Sequence, residues 1–378
     1  MQWSQESPQG EAMAKTVSHW TPFLRQWRWG LILLAAALLF PFLAGALIGD
    51  PAAVRPEVRG AARLVALAET GQAKFWQGMV IQMFILAVFA MSYDLLLGYT
   101  GIISFGHAMF YGTGGYVVGL LVKHAGWPVW AAVGAVLLVA LLQSLVFGAL
   151  SLRVKGVYLA MVTLAFAEFF YILAQATDFR QYTGADDGLH GIYPPPAFSP
   201  TDHRTRFYFL ALVFFVVMYL AARRLVNSPT GRVMVAIREN EGRAAMLGYN
   251  TFVYKLVALV AAGTMAALAG ALNAFFNLGV TPAVLSVGTT INVLAMTIVG
   301  GTGTLTGPVL GAAIVHLLGY WLNRLFGPTW VLLFGVTFIL IVVFLPYGIV
   351  GTVQVRSWQW RAVWRQRWEQ VRRTLART

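Results

Sequence analysis

Long runs of apolar residues, separated by short polar or glycine-rich stretches, recur along almost the whole chain. A helix needs about 20 mostly apolar residues to cross a hydrocarbon core of about 30 Å. Segments that meet or approach that length lie at roughly 30–49, 78–97, 102–122, 128–150, 157–176, 207–222, 256–276, 287–300, 308–323 and 330–346. The eighth and ninth are short and rich in glycine. The first has small residues at Ala44 and Ala46, as a cleavage site would. A long Trp-bearing stretch precedes it, unlike the short basic start of a signal peptide, so it reads as a retained helix. The pattern predicts an all-α polytopic membrane protein of about ten transmembrane helices with glycine-broken segments.

Composition sharpens this. Of 378 residues, 58% are apolar and only 11% charged, too few charges to clothe a soluble core of that size. The net charge of +13 does not indicate nucleic acid, because the basic residues sit between the apolar runs and at the ends, where they face anionic lipid. With both termini in the cytoplasm, the inside segments hold the larger share of Lys and Arg. They include Arg25, Arg28, Arg153, Lys155, the stretch 223–255 and the arginines after 350. The outer segment with Arg55, Arg59 and Arg63 weakens that bias without reversing it. The chain therefore reads as a cytoplasmic N-terminal segment (1–29), a transmembrane domain (30–350) and a basic amphipathic cytoplasmic tail (351–378). In that tail Trp360, Trp364, Trp368, Val371 and Leu375 fall on one helical face, as expected of a helix lying on the inner leaflet. Cysteine is absent, which excludes a disulfide framework, a Cys-based metal site and a thiol nucleophile.

Two outer loops are long, 50–77 and 177–206. The second combines Gly184, Asp186, Asp187 and Gly188 with Pro194, Pro195 and Pro196, and reads as a surface connector or an external docking surface. The inner loop 223–255 is dense in charge and helix formers. Ser228 can cap a helix starting at Pro229, and Gly248 suits a helix C-terminus. It is either a helical hairpin capping the bundle or a docking element for another protein.

Glycines cluster at Gly98–Gly119 and Gly300–Gly307, as in helices broken around a transport pathway. Gly115 with Gly119, and Gly307 with Gly311, form GxxxG pairs suited to close helix packing. Ionisable residues inside the spans are few: Asp94, His107, Glu168 and His316, with Asn273, Asn277 and Asn292 as amides. A charge in hydrocarbon costs at least about 2.5–3.5 kcal/mol, so each either glues helices together or lines a pathway. There is no HExxH, no catalytic pair of carboxylates, and no P-loop: the glycine-rich run 301–307 has no lysine. The chain reads as a transport subunit and not an enzyme, and any ATP that drives it is bound by another polypeptide.

Five stretches carry a specific resemblance: Leu95–Gly101 (LLLGYTG) with Ser104–Ala108 (SFGHA); Arg153–Leu164 (RVKGVYLAMVTL); Thr183–Leu189 (TGADDGL); Ala236–Gly248, with AIRENE at its start; and Val299–Pro308 (VGGTGTLTGP). Together they resemble the permeases of branched-chain amino acid ABC importers, on the LivM side of the LivH/LivM pair. The resemblance covers roughly 78–350. It implies a permease of the bacterial inner membrane working with a second, LivH-like permease, two ATPase subunits and a solute-binding protein, surrounded by membrane lipid and holding no cofactor of its own. Asp94, Gly98, Gly101, Ser104, His107, Thr163 and Glu168 become candidates for the substrate pathway. Arg238, Glu239, Asn240, Glu241, Ala244 and Gly248 become candidates for coupling to the ATPase. Arg238 and Glu241 are expected to touch the ATPase, on one helix running from Arg238 to Gly248. Ala185 replaces a usual glycine, Asp94 a frequent asparagine, and His190 a small or hydroxyl residue. Sister groups with the same motifs are associated with urea, short-chain amides or aromatic acids. An ion-coupled secondary transporter, with Asp94 or Glu168 as relay, is the contrasting reading; it has no need of a docking helix at 223–255.

Overall fold

The structure, a computed structural model, describes residues 23–51, 60–344 and 348–352. The amphipathic face Trp360–Leu375 and the outer-loop residues Arg55 and Arg59 lie outside the described residues. The helices in chain order are α1 (Phe23–Ile48), α2 (Ala61–Ala68), α3 (Gly71–Thr100), α4 (Ala108–Lys123), α5 (Val129–Ser151), α6 (Val157–Gln175), α7 (Arg204–Asn227), α8 (Pro229–Glu239) and α9 (Glu241–Met246). After them come α10 (Thr251–Asn277), α11 (Val287–Gly300), α12 (Thr306–Phe326) and α13 (Trp330–Phe344). A helix thus occupies each of the apolar segments read from the sequence. Among the described residues, strand pairing is confined to two short pieces, β1 (Leu189–His190) antiparallel to β2 (Gly279–Val280), with Leu189 opposite Val280.

Among the described residues, 6 helical stretches are long and apolar enough to cross a membrane: α3, α5, α6, α7, α10 and Thr306–Ile341, which runs through α12 and most of α13. Helices α4 and α11 have 16 and 14 residues. At ~1.5 Å per residue they reach only about 24 and 21 Å. Each adjoins an irregular glycine-bearing stretch, 101–107 before α4 and 301–305 after α11. The chain is an all-α polytopic membrane protein whose helices break where the glycines cluster.

The chain divides into two compact units between Gln77 and Gly78. In the first, α1 packs on α2 through small residues: a Cβ on Gly45 would lie 2.7 Å from the Ala68 nitrogen. In the second, α10 is the central helix, packed on both α4 and α5. Its middle is small all round, with Ala262, Gly263, Ala266, Ala267, Gly270 and Ala274 buried. At Gly114 a Cβ would overlap the Ala267 carbonyl, and at Gly270 one would overlap the Tyr111 carbonyl. The α4 and α10 backbones therefore touch, which in lipid is the main source of helix association. Helices α11 and α12 form a second such pair, where Gly311 meets the Met296 carbonyl and Gly300 meets Gly307. Outward faces of α5, α6 and α13 carry exposed large apolar side chains such as Leu138, Met161 and Leu332. Such faces suit lipid or a partner helix.

Outside the helices, Gly184 and Gly188 turn the chain with positive φ, and Ala185 adopts φ 48° between them. The position where a glycine is usual is thus one whose backbone favours glycine. His190 Nε2 donates to the Asp187 carbonyl (2.8 Å), holding the turn beside β1.

Replacing Gly270 by Val puts side-chain carbon where the Tyr111 carbonyl now lies. Overpacking of this kind costs about 1–3 kcal/mol. The variant is expected to lower the thermal midpoint of the detergent-purified chain and to reduce its monodisperse fraction on gel filtration. Gly134→Ala, at a glycine with open space around it, is expected to leave both unchanged.

Candidate functional site

Helix α8 starts where the sequence places it. Ser228 Oγ accepts the Gly231 N–H (3.2 Å) and Pro229 takes the first helical position. The expected single helix from Arg238 to Gly248 is instead interrupted. Asn240 is extended (φ −163°, ψ 101°) and its side-chain oxygen accepts the Arg243 N–H (2.9 Å), so it ends α8 and caps α9. An asparagine cap competes with helix continuation, and here the cap wins. Helix α9 ends as read, with Gly248 at φ 88°.

The three glycine- and charge-bearing motifs converge at the end of α8. Asp94, fully buried in α3, accepts the Gly303 N–H at 2.7 Å on Oδ1 and the Leu305 N–H at 3.4 Å on Oδ2. Both donors belong to the break between α11 and α12, where Gly301, Gly303 and Leu305 all have positive φ. Gly98 lies against this bond: a Cβ there would overlap Asp94 Oδ1 and the Gly303 nitrogen. Arg238 donates from Nη1 to the Gly98 carbonyl. Gly101 (φ 72°) lies beside the Arg238 stem, and a Cβ on Gly303 would fall 2.9 Å from the same Nη1. One guanidinium thus contacts the break after α3 and the break after α11, with the Asp94 carboxylate a neighbour of the same two glycines.

A second polar cluster ties the segment down. Glu241 Oε1 receives Lys255 Nζ at 2.8 Å, Lys155 Nζ at 3.6 Å and the Thr251 hydroxyl at 3.2 Å. Partial burial alone pushes the Glu241 carboxyl up. The Lys255 hydrogen bond and charge, aided by Lys155 and Thr251, outweigh it and hold the group below its ordinary value. A depressed carboxyl adds stability above its unfolded pKa and loses it as pH falls through the folded one, so the clasp is complete at neutral pH. A cavity of about 330 Å³ lies between the two clusters, lined by Gly101, Lys155, Arg238, Asn240, Glu241 and Lys255 among others.

The remaining candidates separate into groups. His107 is fully buried; its Nε2 meets Ser92 Oγ at 2.8 Å and its ring stacks on Phe89 (5.5 Å between centroids). Thr163 Oγ1 accepts the Phe105 N–H (3.1 Å) and donates to the Ala160 carbonyl (2.9 Å), tying α6 to the break before α4. Ser104 Oγ accepts from Gly106 N–H at 3.3 Å within the same break. Glu168 does not join them. It lies on the exposed face of α6. Glu239 is exposed, whereas Ala244 is buried against Val233 and Ile237 and holds α9 onto α8. Arg238 and Glu241, expected to touch the ATPase, also make contacts inside the chain, Arg238 staying exposed. The surface beside them is mixed: Met246 is 89% and Leu247 77% exposed, with Glu239 and Arg243 exposed as well. The sequence shows this stretch as dense in charge and helix formers and does not show that the Met246 and Leu247 side chains are exposed. Spacing alone cannot tell which face of a six-residue helix the bundle covers.

The family described as "Branched-chain amino acid transport system / permease component" matches residues 76–342. The chain is 26% identical over 366 residues to the "High-affinity branched-chain amino acid transport system permease protein LivM" of Escherichia coli (strain K12), covering 86% of this chain and 85% of that protein. The protein of the same name from Salmonella typhimurium is equally similar, at 26% over 366 residues. The "Probable branched-chain amino acid transport permease protein LivM" of Methanocaldococcus jannaschii is 30% identical over 243 residues, 58% of this chain and 69% of that protein. No solved structure matches.

Asp94→Leu leaves the Gly303 and Leu305 N–H groups without their acceptor, an expected loss of about 1–3 kcal/mol in thermal unfolding. Asp94→Asn keeps one acceptor oxygen and turns an amide N–H toward the other donor, so a smaller loss is expected. The order wild type, Asn, Leu in melting temperature and in transport is the check.

Proposed function

This chain belongs to the branched-chain amino acid transport system permease family, and from that premise we propose that it is the LivM-like subunit of an ABC importer carrying branched-chain amino acids into the cell across the bacterial inner membrane. It spans the membrane ten times in this reading, with both termini cytoplasmic. The helices too short to cross alone, α4 and α11, are completed by the glycine breaks beside them. A second permease pairs with it, a solute-binding protein delivers the amino acid, and two ATPase subunits bind the ATP. The chain has no P-loop lysine of its own and in this reading holds no cofactor.

One observation carries the proposal. Arg238, at the end of the exposed α8–α9 segment, is hydrogen-bonded to the break after α3 and adjoins the break after α11. A secondary transporter has no use for an exposed charged segment wired to its broken helices. An ATPase-driven permease needs such a link. In this reading Met246, Leu247 and Arg243 make the ATPase contact, while Arg238 and Glu241 carry it inward.

Leu247→Asp places a charge on the apolar tip without disturbing any contact inside the chain. It is expected to lower co-purification of the ATPase and uptake by about fivefold or more, the effect of losing an interface residue worth over 1 kcal/mol, with membrane insertion unchanged. Glu241→Lys sets a third cation beside Lys155 and Lys255. It is expected to abolish uptake while the ATPase still co-purifies. Normal uptake by both variants overturns the coupling assignment.

A further inference from the structure

The half of the second unit remote from α8 and α9 holds a larger cavity of about 480 Å³, between α3, α10, α11, α12 and the start of α13. That it is the remote half follows from chain direction. Helix α3 reaches Arg238 at its last residues, and the cavity takes Gln82, Leu86 and Phe89 from its earlier turns. Helix α10 leaves α9 at Thr251 and contributes Asn273 and Asn277 from its far end.

The lining has an unusual chemistry for an apolar bundle. No Lys, Arg, Asp or Glu is among the lining residues, but five carboxamides are: Gln82, Asn273, Asn277, Asn292 and Asn323. Three of them form a chain. Asn273 Oδ1 accepts from Gln82 Nε2 (3.1 Å) and from Asn277 Nδ2 (3.0 Å). That leaves hydrogen-bonding capacity unused within the chain: Gln82 Oε1 and His316 Nε2 are both buried atoms without a partner. Buried polar atoms are nearly always satisfied, so two on the wall of one cavity call for a ligand or solvent partner. Most of the remaining wall is apolar, with Leu86, Phe89, Val293, Met296, Val315 and Phe334, and Tyr111, Thr289 and Tyr320 add hydroxyls. Phe89 and Tyr111 stack at 4.3 Å to make part of it, and the buried His107 stacks on Phe89 as well, at 5.5 Å. A histidine of the SFGHA motif thus shapes this wall through Phe89.

We propose that this cavity is a transit site for the amino acid itself, a small zwitterion with a hydrocarbon side chain; this rests on the transport reading above. Carboxamides offer both a donor and an acceptor. Gln82 Oε1 can accept from an ammonium, while Asn292 donates to a carboxylate, and the apolar wall receives the side chain. Pairing each end with a fixed opposite charge would bind far more tightly. A conduit must let its cargo leave, and neutral amides achieve both recognition and release. The volume is in the range of small-molecule sites.

The test uses the complete transporter in proteoliposomes with L-leucine as probe. The absence of native cysteine makes a single Asn292→Cys substitution on the exposed rim directly readable. Saturating L-leucine is expected to slow its reaction with a water-soluble maleimide several-fold, and urea, which lacks the hydrocarbon part, is expected not to. Asn273→Leu is expected to raise the KM for leucine uptake about tenfold, the equivalent of one lost hydrogen bond, with ATPase activity retained. Wild-type uptake together with an unprotected Asn292→Cys and an unchanged KM in Asn273→Leu overturns the transit site alone. Absence of leucine uptake by the wild type overturns the transport reading, and the transit site with it.

Discussion

A helix broken inside an apolar bundle exposes peptide groups that water would otherwise satisfy, and each one left unpaired is expensive. The Asp94 carboxylate meets that constraint here. It accepts two N–H groups from the break between α11 and α12 while itself embedded in continuous helix. The break can then hold positive φ at Gly301, Gly303 and Leu305 with Gly301 and Leu305 buried. Gly98 has to be a glycine because this hydrogen bond occupies the place of its side chain. The node therefore explains an acid, several glycines and a left-handed leucine with one requirement.

The charged residues of the α8–α9 segment serve the same architecture. Arg238 adds a donor where the Gly98 carbonyl lies at the edge of the break after α3. Glu241 draws together Lys155 from the α5–α6 turn and Lys255 from the first turn of α10. Two of the charges on this face, Arg238 and Glu241, are thereby engaged inside the chain, while Met246 and Leu247 project outward beside the exposed Glu239 and Arg243. In the proposed reading, a push on that apolar tip reaches the broken helices through rigid, hydrogen-bonded parts, with no flexible linker between.

Close packing supplies the frame around these polar points. Two backbone contacts, α4 on α10 and α11 on α12, depend on glycine at the crossing. The GxxxG pairs seen in the sequence divide between roles. Gly307 and Gly311 meet α11, whereas Gly119 lies beneath Leu189 and Ile192 of the outer segment. Spacing announced close approach at both and was silent on what approaches.

Apolar run length alone located the helices, because burial in lipid imposes one condition on every residue of a span, and that condition is local. Caps were equally legible at Ser228 and Gly248, since a cap is decided within a few residues. The motifs carried the family, and the lack of a P-loop lysine was plain. Direction was not legible. Asp94 and Glu168 are both acids within apolar helices, yet Asp94 is buried at the node and Glu168 lies on the exposed face of α6. Arg238, though exposed, reaches the Gly98 carbonyl, and Met246 with Leu247 turned outward. Gln82 attracted no notice, although it joins Asn273 in the remote cavity. These outcomes depend on which neighbours lie across a helix, and those neighbours come from 140 to 211 residues away in the chain. The sequence by itself determined an all-α membrane permease of known kin with glycine breaks; only the tertiary structure decided which polar groups meet, because a side chain's partner is set by how helices cross and not by the residues on either side of it.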